Sequence, residues 1–421
     1  MKRLLRILGV LAAVLVIAFL LLRVPDTEAA EMRAKYGGPP SQFVTLPGGP
    51  RVHYRDEGPR DAPVIVLLHG SNADLHTWQP WVDRLKDRYR LIRFDQRGHG
   101  LTGAAEGGYD ANAFARDIRA FADALKLNRF VLAGNSMGGA NALRFAMQHP
   151  ERLAGLVLID AGGAPIKREG GGNLAFTVLR MPVIGPLASQ MMHRSLVERS
   201  VRQSVSNQAV VTPEAVDRYW ELARLPGNRA ATRERFALPW TSFTADQVRA
   251  VKVPTLIMWG QEDALIPYAA AAWFRDHLPD ARLVSYRGIG HLPMEEAPDA
   301  SAQDLVRFLT DLAAPRIGDT VTLDIARLPG VRQPLFPPLP GIGVDQCKRC
   351  SSAWRLQVPP WLPSAQFPRP PRRKRLKANI FASSSPRSSP RPTSAPKPLG
   401  PRMPAAGSLP TAMRTRFADS R

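Results

Sequence analysis

Hydrophobic residues along this chain form short, nearly continuous runs that alternate with longer segments of helical spacing. Short apolar runs are typical of buried strands in a parallel sheet, and apolar residues three or four positions apart are typical of helices. Strand-like runs occur at Gln42–Leu46, Arg51–Arg55, Val64–Leu68, Arg90–Phe94, Phe130–Ala133, Gly155–Ile159, Pro254–Trp259 and Arg282–Tyr286. Helix-like segments occur at Thr77–Asp87, Asn112–Leu125, Met137–His149, Tyr268–His277 and Ala300–Leu312. The alternation predicts an α/β fold with an eight-stranded, mostly parallel sheet covered by helices on both faces.

Two intervals depart from this alternation. Pro47-Gly48-Gly49-Pro50 separates the first two strand-like runs and predicts an antiparallel hairpin at one edge of the sheet. Residues 164–249 lack a clear strand-like run and contain helix-like pieces such as Leu187–Ser204 and Pro213–Leu225. An insertion of this length predicts a helical cap over a core of residues 41–163 and 250–313. Its apolar residues either pack the cap's own core or line an apolar pocket.

The N-terminal residues form an apolar segment preceded by positive charges. Lys2, Arg3 and Arg6 precede Ile7–Leu22, and the apolar stretch approaches the roughly 20 residues that cross a bilayer. A cleaved signal peptide has a shorter apolar region and a small-residue cleavage site. The sequence therefore favours a membrane anchor over residues 1–23, followed by a linker over 24–40, and leaves a signal peptide and secretion as the alternative. The positive charges predict that the body lies on the non-cytoplasmic side, the periplasmic face in a bacterium.

The last residues of the chain differ in composition from the rest. Of 57 Lys+Arg and 36 Asp+Glu, 19 and 4 lie from residue 315 onward, together with 20 of the 40 prolines. This composition predicts a disordered tail over residues 314–421. Binding of nucleic acid through the basic tail is one alternative function. No nucleic-acid partner is expected, because a tail beyond the membrane would not meet cytoplasmic nucleic acid. The chain's two cysteines, Cys347 and Cys350, also lie there without a second pair or a nearby histidine, so no metal site is predicted.

The segment Gly134-Asn135-Ser136-Met137-Gly138 directly follows the fifth strand-like run. A G-x-S-x-G segment between a strand and a helix describes a nucleophile elbow, in which a sharp turn holds the serine in strained backbone angles. Small residues on either side of the serine avoid clashes at such a turn. An ordinary glycine-rich turn between a strand and a helix can carry the same residues, so the surrounding motifs decide between the two interpretations.

Five motifs in this order resemble those of the α/β-hydrolase superfamily, over about residues 40–313. They are His69-Gly70-Ser71-Asn72, Asp95-Gln96-Arg97-Gly98-His99-Gly100, the segment around Ser136, Gly260-Gln261-Glu262-Asp263 and Gly290-His291, each just after a predicted strand. The family order of nucleophile, acid and histidine implies Ser136, Asp263 and His291 as a catalytic triad. All three would lie at the carboxyl edge of the sheet, where open α/β sheets bind ligands.

Several of these assignments have rivals. Asp160 follows an earlier strand, where some hydrolases carry the acid, and it is the alternative to Asp263. The resemblance implies an oxyanion hole made by the N–H groups of Met137 and Ser71, with Asn72 as the substitute for Ser71. The side chains of His69, Asp95 and His99 are expected to hold the nearby turns in place rather than to take part in the chemistry.

The resemblance implies a membrane-anchored serine hydrolase, and a carboxylic ester hydrolase most directly. Such an enzyme attacks an ester or related acyl bond, forms an acyl-serine and hydrolyses it with water. It calls for no cofactor and no metal, and its expected substrate is a small-molecule, apolar ester of undetermined acyl size. Carbon–carbon bond hydrolases, haloperoxidase-like enzymes and acyltransferases of the same fold stay open as alternatives. A non-catalytic binding module of this fold is the alternative from a different class.

Overall fold

The computed structural model describes residues 1–166, 174–239 and 241–314, so the predicted tail lies outside the described residues except for Ala314. Eight strands form one sheet in the order β1-β2-β4-β3-β5-β6-β7-β8. Their bounds are β1 Gln42–Thr45, β2 Arg51–Glu57, β3 Val64–Leu68, β4 Arg90–Phe94, β5 Phe130–Asn135, β6 Leu153–Ile159, β7 Thr255–Gly260 and β8 Ala281–Tyr286. β2 is antiparallel to both β1 and β4, and the remaining pairs are parallel. The predicted mostly parallel sheet is therefore confirmed.

Helices connect most of the strands. Before β6 they are α1 Lys2–Leu22, α2 Ala29–Tyr36, α3 Gln79–Leu85, α4 Ala111–Ala124 and α5 Met137–Gln148. Between β6 and β7, in what we call the β6–β7 segment, they are α6 Leu174–Arg180, α7 Ile184–Ser189, α8 Arg194–Ser204, α9 Pro213–Ala223, α10 Asn228–Ala237 and α11 Ala245–Arg249. After β7 they are α12 Ala269–His277, α13 Pro293–Glu296 and α14 Pro298–Ala313. Short 3₁₀ turns lie at Leu75–Trp78, Pro150–Arg152 and Gln208–Val210.

The sheet has a hydrophobic core on each face, and β3 shows how the sequence builds both. Val66 and Leu68 belong to the core that contains side chains of α4, α5 and α12. Ile65 and Leu67 belong to the other core, which contains side chains of α3 and α14. Successive side chains of a strand point to opposite faces, so a continuous apolar run is what a strand covered on both sides requires. Burying each such side chain is worth about 1.5–3 kcal/mol.

The structure corrects one predicted helix. The helix expected over Leu187–Ser204 is divided, because α7 ends at Ser189 and α8 begins at Arg194. The carbonyl oxygen of Gln190 accepts the backbone N–H of Val24 at 2.7 Å. The contact that replaces a helical hydrogen bond comes from a residue about 170 positions away, so local spacing did not reveal the break.

α1 differs from the other helices, because none of its residues is buried. It is the one helix in the described residues that is long and apolar enough to cross a membrane, with a mean hydropathy of 2.9. A signal sequence near the N-terminus can pass the same test of length and composition. Residues 24–40, predicted as a linker, contain α2, whose Met32 is buried.

Candidate active site

Ser136 occupies a sharp turn between β5 and α5. Its backbone angles are φ 54° and ψ −116°, a conformation that costs a non-glycine residue about 1–3 kcal/mol. The Ser136 N–H donates to the carbonyl oxygen of Ile159 at 2.9 Å. The Ser136 carbonyl oxygen accepts the N–H groups of Ala140 and Gly162 at 3.1 and 3.0 Å. These backbone hydrogen bonds hold the serine in the strained geometry that the elbow motif predicts.

Close packing explains the two glycines around this serine. A Cβ atom on Gly134 would lie 2.2 Å from the carbonyl oxygen of Gly138. A Cβ atom on Gly138 would lie 2.3 Å from the carbonyl oxygen of Leu68 in β3. Neither distance is possible for a real side chain, so both positions require glycine.

His291 and Asp263 are joined by a hydrogen bond between the loops that follow β8 and β7. His291 Nδ1 lies 2.7 Å from Asp263 Oδ2, and both residues are buried. Asp263 Oδ1 accepts the N–H groups of Leu265 and Ile266 at 2.7 and 3.1 Å. Because an ionised carboxylate only accepts hydrogen bonds, His291 Nδ1 is the donor, which leaves Nε2 as the basic nitrogen of the neutral ring.

The loop that carries His291 is fixed to the serine turn and to the β6–β7 segment. Asn135, the neighbour of Ser136, donates from Nδ2 to the carbonyl oxygen of His291 at 3.0 Å. The His291 N–H donates to the carbonyl oxygen of Ser204 at 2.9 Å. In the part of the chain that the structure describes, the Ser136 hydroxyl itself makes no hydrogen bond, so Asn135 provides the link between the two loops.

Glu296 also supports the loop that carries His291, a role that no motif in the sequence indicates. Its Oε2 accepts the N–H groups of Ser206, Asn207 and Gly290 at 2.7, 2.9 and 3.1 Å, and its Oε1 accepts that of Leu292 at 3.1 Å. The two residues adjacent to His291 are therefore held by one buried carboxylate.

Asp160, the rival to Asp263, lies beside the His291–Asp263 pair without bonding to the histidine. Asp160, Asp263 and His291 each offer a polar atom, and these atoms lie within 4.8 Å of one another. Asp160 Oδ1 accepts the N–H of Gly260 at 3.0 Å. Burial, and after it the Asp263 carboxylate, holds the pKa of Asp160 well above its usual value. The raised pKa favours the neutral form of Asp160, because two adjacent buried carboxylates repel each other.

The loop after β3 passes next to the serine. A Cβ atom on Gly70 would lie 3.3 Å from the Ser136 Cβ, so Ser71 and Asn72 follow the point of closest approach. Met137 is the first residue of α5, and the first N–H groups of a helix have no acceptor within it. The structure therefore places the predicted oxyanion-hole residues on two elements that flank Ser136.

Arg235 of α10 reaches this loop from the β6–β7 segment. Its Nη2 donates to Ser71 Oγ at 2.9 Å and to Asn72 Oδ1 at 3.1 Å, and its Nη1 donates to His99 Nε2 at 2.7 Å. No carboxylate of the described residues lies within 4.0 Å of its nitrogens. Burial lowers the pKa of Arg235 to about 10, so the guanidinium stays charged at neutral pH. Sequence reasoning missed Arg235, because it belongs to no motif and its contacts are distant in the chain.

The remaining histidines of the site, His69 and His99, form hydrogen bonds through both ring nitrogens. His69 Nδ1 donates to the carbonyl oxygen of Gly70 at 2.7 Å, and its Nε2 accepts the N–H of Gln96 at 3.0 Å. His99 Nδ1 donates to the carbonyl oxygen of Arg97 at 2.9 Å. Burial lowers the pKa of His69, and burial together with Arg235 lowers the pKa of His99 further. The lowered pKa values favour neutral rings, and the structural roles of both histidines stay a prediction.

Comparison with known proteins identifies the fold family of the chain. The family model described as "alpha/beta hydrolase fold" matches residues 63–298. A non-heme chloroperoxidase of Streptomyces lividans is 29% identical over 273 residues, which cover 63% of this chain and 98% of that protein. A bifunctional esterase/perhydrolase of Acinetobacter calcoaceticus is 28% identical over 278 residues, which cover 63% of this chain and 99% of that protein.

One similar crystal structure is that of a bacterial protein described as a membrane phospholipase A. It superimposes with a TM-score of 0.56 at 25% sequence identity, and the match covers 75% of this chain and all of that chain.

Proposed function

The chain belongs to the alpha/beta hydrolase fold family and is a hydrolase by its relatives; from this premise we propose that it is a serine hydrolase of carboxylic esters. Ser136 is the nucleophile, His291 the base and Asp263 the acid of the proposed triad. The observation that carries the proposal is the hydrogen bond from His291 to Asp263, 2.7 Å long, on a loop that Asn135 ties to the strained serine turn.

The proposed reaction proceeds through an acyl-serine. His291 Nε2 takes the proton of the Ser136 hydroxyl while Oγ attacks the ester carbonyl carbon. The tetrahedral intermediate collapses when His291 returns that proton to the departing alcohol, which leaves the acyl group on Oγ. Water then attacks the acyl carbon with His291 as base, and collapse of the second intermediate releases the carboxylic acid and restores the serine.

The oxyanion of each intermediate binds the N–H groups of Met137 and Ser71. Preorganised donors of this kind are worth about 10²–10³ in kcat each. Met137 lies at the start of α5, where the helix dipole adds to the stabilisation of negative charge. Asp263 accepts the hydrogen bond from Nδ1–H and stabilises the imidazolium, and the raised pKa of Asp160 beside it disfavours a second negative charge.

The β6–β7 segment, residues 164–249, acts as a cap. Its α10 contacts the oxyanion-hole loop through Arg235. The last residue of α8, Ser204, accepts the N–H of His291, and Ser206 just after it donates to Glu296. The cap thus supports both sides of the proposed site, and the shape of its inner surface selects the acyl and alcohol groups of the ester.

The N-terminal helix anchors the enzyme, with the catalytic body on the non-cytoplasmic side. α1 has the length and composition of a membrane span, and the positive charges before it favour retention of its start in the cytoplasm. The similarity to a protein described as a membrane phospholipase A also supports a membrane-bound hydrolase of apolar esters. No cofactor is required.

A series of p-nitrophenyl esters with acyl chains of increasing length tests this function. We expect the full chain to hydrolyse at least one of them and Ser136→Ala to lose about 10³-fold or more of that rate. The matched control is Ser200→Ala on the exposed side of α8, which keeps the rate. Hydrolysis that is equal in the wild type and Ser136→Ala contradicts the proposal.

A further inference from the structure

We propose that the edge of the β6–β7 segment formed by Met181, Val183, Ile184 and Leu187, here called the apolar edge, lies in the interface of the bilayer that α1 enters. We infer from this that the ester substrate is an amphiphile taken directly from that bilayer. The inference deepens the proposed function and rests on it, whereas the position of the apolar edge can be measured without any activity.

The residues directly after α1 contact the β6–β7 segment. α1 ends at Leu22, and the N–H of Val24 donates to the carbonyl oxygen of Gln190 at 2.7 Å. Arg229 of α10, which is buried, donates from Nη1 to the carbonyl oxygen of Val24 at 2.8 Å and from Nη2 to Gln190 Oε1 at 3.0 Å. Arg229 also forms an ion pair with Asp26. Only Arg23 therefore lies between the end of α1 and Val24, the first residue that contacts the β6–β7 segment.

Further contacts continue this attachment through α2. The Thr27 N–H donates to the carbonyl oxygen of Arg224 at 3.1 Å. Lys35 Nζ and Tyr36 OH both contact Glu221 Oε2 at 2.7 Å. Met32 is buried in a small cluster that includes Leu222 and Leu225. The segment after α1 is thus held on α9 and α10. These contacts restrict rotation of the body relative to α1.

The apolar edge lies beside this docking point. Its side chains are exposed by 39% at Met181, 74% at Val183, 52% at Ile184 and 49% at Leu187. Leu187 precedes Gln190, the acceptor of the Val24 N–H, by three residues, which is about one helical turn. Four exposed apolar side chains within seven residues are costly in water, and a surface of this kind marks an interaction site.

The position of the apolar edge beside the end of α1 favours a lipid bilayer as the surface that covers it. A helix with no buried residue and the composition of a membrane span ends two residues before Val24, so the bilayer surface must lie near Gln190 and the apolar edge. Arg23 directly follows α1, and Arg180 directly precedes the apolar edge. Both arginines are exposed, and their charges suit the phosphate groups of lipids.

One helix connects the membrane end of the body with the catalytic loop. Arg229 near the start of α10 holds Val24, and Arg235 near its end holds Ser71 and Asn72 beside Ser136. Six residues of helix span about 9 Å. A lipid ester therefore needs to rise only a short distance from the headgroup region to reach Ser136, and its acyl chains can stay in contact with the apolar edge. This geometry favours amphiphilic esters with long acyl chains over freely soluble ones.

Fluorescence of a polarity-sensitive label tests the position of the apolar edge. The full chain, with Cys347 and Cys350 replaced by serine, carries Val183→Cys labelled with a nitrobenzoxadiazole dye and is reconstituted into phosphatidylcholine vesicles. The control is Glu151→Cys. Glu151 is exposed and lies in the turn before β6, at the amino end of that strand, whereas the proposed site lies at the carboxyl ends of the strands. We expect a blue-shifted emission and quenching by spin-labelled lipid at position 183 and neither at position 151. Equal, water-like emission at both positions overturns the proposal.

Activity on two kinds of ester tests the substrate class. Val183→Asp combined with Ile184→Asp places charges in the apolar edge, and Val183→Leu with Ile184→Leu keeps it apolar. We expect the acidic variant to hydrolyse long-chain lipid esters in vesicles about tenfold more slowly, while its rate on a water-soluble p-nitrophenyl ester stays unchanged. The leucine variant should match the wild type on both substrates.

The outcomes separate this inference from the proposed function. A wild type without activity on either ester contradicts the serine hydrolase, whereas the label at position 183 still reports on the membrane. If the soluble ester is hydrolysed and the acidic variant loses nothing on vesicles, the membrane-derived substrate is wrong and the hydrolase stands.

Discussion

His291 Nδ1 donates a hydrogen bond to Asp263 Oδ2 at 2.7 Å, although 28 residues separate the two along the chain. The bond connects the loops after β7 and β8, so it forms only when these neighbouring parallel strands are in register. The sequence offers two candidate acids, Asp263 and Asp160, and substitution of each one tests which of them is the acid. We expect Asp263→Asn to lower kcat by about 10³–10⁴, because an amide that donates to the ring favours the wrong tautomer.

The comparison variant is Asp160→Asn. The amide oxygen can still accept the N–H of Gly260, and the neutral amide resembles the protonated carboxyl that burial and Asp263 favour at this position. We expect a fall in kcat of less than about tenfold, measured with the same soluble ester. A large loss in Asp160→Asn together with a small one in Asp263→Asn would reverse the assignment of the acid.

Arg235 is expected to set the turnover rate by positioning Ser71. Its three hydrogen bonds, to Ser71, Asn72 and His99, have no substitute in Arg235→Met. We expect kcat to fall about tenfold and KM to change little, because the loss affects a donor that acts in the transition state. Arg235→Lys keeps the charge but cannot reach all three acceptors. Its kcat should therefore lie between that of the wild type and that of Arg235→Met.

Steady-state kinetics check this prediction, with Arg199→Met on the exposed side of α8 as the control. A rise in KM at constant kcat would show instead that Arg235 binds the substrate in its ground state.

Glu295 is expected to make stability depend on pH. Burial raises the pKa of Glu295 from 4.5 to about 7, and its Oε1 accepts the hydroxyl of Thr77. The unfolded chain ionises this carboxyl near pH 4.5, so the folded state holds an extra proton between pH 4.5 and 7. The stability that Glu295 contributes is complete below pH 4.5 and is lost as the pH rises through 7, by at most about 3 kcal/mol.

Urea unfolding of the full chain in detergent at pH 5, 6, 7 and 8 measures this effect. Glu295→Gln keeps an acceptor for Thr77 and removes the ionisation. We expect the wild type to lose stability relative to this variant as the pH rises. A constant difference between the two proteins across the series would mean that Glu295 keeps an ordinary pKa in the folded state.

The central strands β3, β5, β6 and β7 were predictable because each is a nearly uninterrupted apolar run. β3 and β4 coincide with the predicted runs, and β6 begins two residues before its run, at Leu153. The elbow was equally readable, because close packing at Gly134 and Gly138 leaves no choice of residue. These features depend on neighbouring residues or on a steric requirement that the sequence records directly.

The rest depends on contacts between distant residues. The break after Ser189 depends on Val24, and the support of Ser71 depends on Arg235. The choice between Asp160 and Asp263 follows from which carboxyl meets the Nδ1 of His291, and both follow a strand in the same way. No periodicity in one chain shows these pairings.

The central claim is that Ser136 is a nucleophile activated by His291. Mass spectrometry of the full chain after reaction with a fluorophosphonate tests it most directly, with Ser136→Ala and His291→Ala in parallel. We expect one covalent adduct, located on the peptide that contains Ser136, its absence in Ser136→Ala and a labelling rate at least about 10²-fold lower in His291→Ala. A folded wild-type protein without an adduct at Ser136, or with undiminished labelling in His291→Ala, would contradict the account.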